Sequence, residues 1–98
     1  MHNDPIADLL NNLRRGQEAV RKATVSVRAV RDPHVPGRRI YRLTGLDKRA
    51  VQHAIDVRMR EAEDAPLGGM ATFENPWLQR DGIWCSRGEV VIAQPETV

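Results

Sequence analysis

Cysteine is almost missing from this chain of 98 residues. The single Cys85 cannot close an internal disulfide and cannot supply a cysteine-rich zinc site, so a reducing, cytoplasmic compartment is the expectation. Long apolar runs are missing too. None approaches the roughly 18 residues of a membrane span, and the N-terminus carries Asp4 and Asp8 where a signal peptide carries basic and then apolar residues. Membrane and secreted readings are therefore set aside. Aromatic side chains are scarce, with only Tyr41, Phe73, Trp77 and Trp84. Just one of them, Tyr41, falls in the basic part of the chain, which argues against a sheet that grips bases by stacking. Lysine is confined to positions 22 and 48, so 13 of the 15 basic residues are arginine. Arginine suits bidentate contacts to phosphate or carboxylate, although high genomic GC content produces the same bias.

Hydrophobic residues make up 41% and charged residues 29%, ordinary globular usage and too much apolar material for a disordered chain. At this length one domain over residues 1–98 is expected. The formal charge of +2 hides an uneven distribution. Residues 1–13 sum to −2, residues 14–42 to +7 and residues 43–98 to −3, so a basic central third is flanked by acidic ends.

Asp4-Pro5 opens a helix with a capping residue and a first-position proline. Its apolar stripe is Ile6, Leu9, Leu10, Leu13, Ala19 or Val20, and Ala23. Thr24 to Arg31 is β-branched and alternating, with Val25, Val27 and Ala29 on one face; Asp32 to Gly37 is turn chemistry; Arg38 to Leu43 alternates again. These two strands read as a hairpin. Asp47 then caps a second helix running to about Glu63, with Ala50, Val51, Ala54, Ile55, Met59 and Ala62 as its buried stripe. Asp64 to Arg80 reads as a loop broken by Pro66, Gly68, Gly69 and Pro76, and either Ala65-Pro66 or Asn75-Pro76 can be cis. Residues 82–85 and 89–93 read as a closing hairpin around Ser86-Arg87-Gly88. The expected class is α+β, two helices packed on a small, mostly antiparallel sheet in the order α-β-β-α-loop-β-β.

Asp4-Pro5-Ile6-Ala7-Asp8-x-Leu10, followed by Arg14-x-Gly16-Gln17, resembles the opening helix of the eighth family of bacterial small-subunit ribosomal proteins, which bind ribosomal RNA. The resemblance covers about 14 of 98 residues. That family's Ser-Thr-Ser-x-Gly loop and Gly-Gly-Glu strand are not matched here, apart from a loose Pro36-Gly37-Arg38-Arg39-Ile40-Tyr41 and Arg87-Gly88-Glu89, and no function is carried over.

No nucleophile–base pair, carboxylate pair or phosphate-cradling loop occurs at a recognisable spacing. His2, His34, His53 and Cys85 lack metal-ligand spacing. The expectation is a non-enzymatic protein without metal or cofactor. Two features stand out as surfaces. Met70, Phe73, Trp77 and Leu78, with Arg38, Arg39 and Arg42, form a candidate docking surface for a larger protein assembly that the chain would modulate or inhibit, for example as a phage or mobile-element product acting on a host nucleic-acid machine. The alternative is direct RNA or DNA binding by Arg28, Arg31, Arg38, Arg39 and Arg42 of the basic hairpin. A homo-oligomer through an unpaired strand edge is left open.

Overall fold

The computed structural model describes residues 6, 9, 10, 12–16 and 24–95. Strands β1 (Val25–Arg31) and β2 (Arg38–Gly45) are followed by helix α1 (Lys48–Glu63), then β3 (Gly69–Phe73), β4 (Trp77–Leu78) and β5 (Trp84–Ile92). All pairings are antiparallel in the order β1-β2-β5-β3, with β4 also on β5. The α+β class and the antiparallel sheet match the sequence reading; the element order differs from it in two places.

The hairpin forms as its alternation requires. Val25 pairs with Gly45 and Arg31 with Arg39, in unbroken register. The turn is closed by Asp32 N–H donating to Arg38 O at 3.0 Å, and the Asp32 carboxylate accepts from His34 N–H at 2.8 Å. Helix α1 also starts at its expected cap: Asp47 is extended and accepts from Arg49 N–H at 3.2 Å. Val51, Ala54, Ile55 and Ala62 are buried as the 3.6-residue period dictates, while Met59 is 37% exposed.

The first difference is β5. The expected closing hairpin is one continuous strand of nine residues at the centre of the sheet. Gly88 has a reason other than a turn: a Cβ there would meet the Phe73 ring at 2.3 Å and Thr72 O at 2.4 Å. The glycine makes room for a neighbour remote in sequence, and its φ is not in the left-handed region.

The second difference is the expected loop at 64–80, which contains two strands. Gly69–Phe73 and Trp77–Leu78 flank β5 as one interrupted edge strand. Phe73 pairs with Gly88 and Trp77 with Cys85, so residues 74–76 oppose only residues 86 and 87. Pro76 sits in that irregularity at the sheet edge, where its missing N–H breaks no ladder bond. The extra residue reverses strand parity, so Phe73 faces α1 and Trp77 faces the other way. No described peptide bond is cis.

The core lies between α1 and one face of the sheet. Leu43, Val51, Ala54 and Ile55 form one cluster, with Val25, Phe73 and Trp84 against it. Tyr41, Ala62 and Val90 form a second, flanked by Ala71, Phe73 and Ile92. The helix lies over β3, β5 and β2 and barely reaches β1, where Val27 is 40% exposed. Residues 6, 9, 10 and 12–16 are helical, yet Ile6, Leu9, Leu10 and Leu13 are 55–68% exposed. An amphipathic stripe says that a helix has an apolar side but not what covers it, so the expectation of two helices packed on the sheet holds for α1 alone among the described residues. Ala19, Val20 and Ala23 lie outside the described residues.

Candidate nucleic-acid interface

Side chains alternate between the two faces of a strand, so the register fixes which groups share the face turned away from α1. Arg28 pairs with Arg42, and Arg42 pairs with Arg87. Three adjacent strands thus place three arginines in one row across the sheet. At the usual cross-strand spacing their Cβ atoms span about 10 Å. All three residues are exposed.

The row next to it toward the hairpin turn is Val30, Ile40, Glu89 and Thr72, and beyond that come Arg38, Val91 and Met70. On the other side lie Ser26, Thr44, Cys85 and Trp77. Val30 and Ile40 are exposed at 65% and 45%, so no described element covers this part of the sheet.

The arginines of this face differ in their partners. Arg38 is held at both ends: its Nε donates to Glu89 at 2.6 Å and its Nη1 to Asp32 at 2.7 Å. Those carboxylates raise the Arg38 pKa, Glu89 more than Asp32. In turn the Asp32 carboxyl is held below its ordinary range, first by the His34 N–H and then by the Arg38 guanidinium. Arg38 is therefore a neutralised tie between the turn and β5. Arg87 has a looser neighbour, Glu74, at 3.8 Å, and its guanidinium stands 5.2 Å over the Trp77 ring. Arg28 and Arg42 have no ion pair with any described carboxylate.

A shallow concavity of about 310 Å³ adjoins Arg28 and Arg42, walled by Ser26 and Thr44 of the strands and by Gln79, Asp81 and Ile83 of the β4–β5 loop. Asp81 is the one acid there, and its Oδ1 accepts from Ile83 N–H at 3.1 Å to shape the loop. The Arg28–Arg42 row thus has a wall on one side and an open face on the other.

Of the five arginines expected to form one basic surface, Arg28, Arg38 and Arg42 share the open face. Arg31 and Arg39 face the helix side, opposite each other at the last pair of the hairpin. Arg87 belongs to this face although Ser86-Arg87-Gly88 reads as a turn by composition; the alternation of Trp84, Ser86, Gly88 and Val90 with Cys85, Arg87, Glu89 and Val91 is the sequence signal for it.

The residues of the expected docking loop are divided. Phe73 joins both core clusters and lies 6.1 Å from Tyr41, ring to ring. Trp77 is half-buried under Arg87 on the open face, and Met70, 68% exposed, lies on that face at the sheet edge. Leu78, 56% exposed, pairs with Trp84 and so belongs to the helix side.

Cys85 is buried, and its strand partners are Thr44 and Trp77. No cluster of three or more potential metal ligands occurs among the described residues. No described helix is long and apolar enough to cross a membrane. No protein-family model, curated protein or solved structure matches this chain.

Proposed function

We propose that the protein binds nucleic acid through its sugar–phosphate backbone, on the sheet face turned away from α1. The observation that carries this reading is the Arg28–Arg42–Arg87 row. Like charges placed directly opposite each other on a sheet repel, and a polyanion lying across the strands removes that repulsion while releasing its own counterions. Guanidinium groups also match phosphate oxygens in a bidentate fork. With one half-buried aromatic ring on the face, contact is made to phosphates rather than to stacked bases, so binding is largely independent of sequence.

The test is fluorescence anisotropy with labelled RNA, single-stranded DNA and duplex DNA of about 16 nucleotides, long enough to fill a single-strand site. Affinity is expected to fall between about 50 and 200 mM salt, with a logarithmic slope of about −2 to −3 for three neutralised phosphates. Arg28→Gln with Arg42→Gln should abolish most of the binding, whereas Arg49→Gln with Arg60→Gln, exposed on α1, should not. The RNA and DNA arms identify the polymer. Absence of binding at low salt removes the proposal and returns attention to a protein partner, to be sought by pull-down of tagged protein with and without nuclease.

A further inference from the structure

We infer a second anion site, on the helix side of the sheet at the turn end of the β1–β2 hairpin, that accepts the doubly charged phosphate of a phosphomonoester. Arg31 and Arg39 form the last register pair of the two strands, and both are exposed. Neither has an ion pair with a described carboxylate. They line a cleft of about 390 Å³ whose wall includes Arg38, Gly37 and Gln94, with Asp32 as its one acid. That acid is already engaged by Arg38. With Arg38 neutralised by Asp32 and Glu89, the guanidinium groups of Arg31 and Arg39 leave the cleft positive, and its volume is that of a small-ligand site.

The cleft is held in shape by contacts that do not involve Arg31 or Arg39. Gly37 has φ +80°, and a Cβ on it would meet Ile92 O at 2.1 Å and the Gln94 amide nitrogen at 2.7 Å. Its carbonyl accepts from Ile92 N–H at 2.9 Å. The end of β5 is therefore packed directly on the hairpin turn, and Gln94 Nε2 is tied to Ile92 O at 3.1 Å. Two free guanidinium forks on adjacent strands above this floor form a clamp for a terminal phosphate, whose three free oxygens accept from both at once. A phosphodiester in mid-chain offers two such oxygens and one charge, and so suits the extended row on the other face.

The phosphate has two natural sources, a small phosphorylated molecule or the phosphorylated end of a nucleic-acid chain; only the second rests on the nucleic-acid reading. The probe is inorganic phosphate, titrated into uniformly labelled full chain and followed by amide NMR. Saturable shifts are expected at Gly37, Arg39 and the Gln94 side-chain amide. Arg31→Gln with Arg39→Gln should weaken binding about tenfold or more. Arg28→Gln with Arg42→Gln should leave it unchanged, and the same spectra report whether each variant is folded. Unsaturable shifts spread over all the arginines, or a folded Arg31/Arg39 variant that binds like the parent, overturn the site.

A second arm compares one oligonucleotide with and without a 5′ phosphate. A preference for the phosphorylated form that disappears in the Arg31/Arg39 variant assigns the site to chain ends. Equal affinities, with inorganic phosphate binding retained, assign it to a small molecule. Phosphate binding in the cleft without oligonucleotide binding to the sheet removes the nucleic-acid reading and leaves the site standing.

Discussion

On the helix side of the sheet, Leu43 is fully buried against Val51 and Ile55; one residue away, Arg42 projects from the other side between Arg28 and Arg87. The same backbone serves both. Where α1 covers the sheet the pattern is fixed by volume, because the helix must seat close to β2, β3 and β5 and the side chains of the two clusters meet one another. The exposed arginine row on the open side has no such constraint, and its residues are spaced by the register alone. A row of like charges persists there because each group can be hydrated individually, at a mutual cost of a few tenths of a kcal/mol. Substitutions should therefore act on stability from one side and on binding from the other, and that division can be broken experimentally.

The strongest test is Leu43→Ala. Removing a fully buried side chain from the first core cluster should cost about 2–5 kcal/mol, read as a fall in the midpoint of denaturant unfolding. Gly88→Ala comes next. Its Cβ would strike the Phe73 ring and Thr72 O, and overpacking of this kind costs about 1–3 kcal/mol. An unchanged melting temperature would show that Phe73 can move aside and that the glycine has another explanation. Asp47→Ala removes the cap acceptor for Arg49 N–H, for a loss of about 1 kcal/mol and a frayed first turn by hydrogen exchange.

The Asp32–Arg38–Glu89 tie predicts a pH effect whose sign follows from linkage. The Asp32 pKa is lowered in the folded state, so the stabilisation is present above the unfolded-state value and is lost as pH falls through the folded one. Arg38, with a raised pKa, loses its contribution only in strong alkali. Acidification below about pH 4 should narrow the stability gap between the parent and Asp32→Asn; thermal melts across that range check it. The smallest effect on stability is expected for Arg28→Gln with Arg42→Gln and Arg87→Gln. Urea unfolding should be unchanged or slightly more difficult, by a few tenths of a kcal/mol, even as oligonucleotide binding is lost. A large loss of stability would mean that the row is structural and that the two faces are not separable.

Several elements were legible in the sequence because their signals are local. Helix α1 has a capping aspartate and a 3.6-residue apolar period; the β1–β2 hairpin has alternation on both sides of a proline- and glycine-rich turn. Strands β3 and β4 were hidden because they are five and two residues long and sit among Gly68, Gly69 and Pro76, residues that ordinarily punctuate loops. Strand β5 was split for a similar reason: Ser86-Arg87-Gly88 is turn-like by composition, while the need for glycine comes from Phe73, 15 positions earlier. The basic character of the hairpin was visible, but the division of its arginines between the two faces of the sheet was not.

The amino-acid sequence by itself determined the α+β class, helix α1, the first hairpin and the concentration of arginine in the central third of the chain. Those follow from interactions between residues close in sequence and from composition. Only the tertiary structure decided that β5 runs beside β2, placing Arg87 in line with Arg28 and Arg42, and that an extra residue near Pro76 turns Trp77 toward the same face. It also decided that Arg31 and Arg39 look the other way, over a cleft closed by Gly37 and Gln94. Pairing between strands distant in sequence is chosen by burial of the whole apolar face under α1, and no local pattern contains that choice.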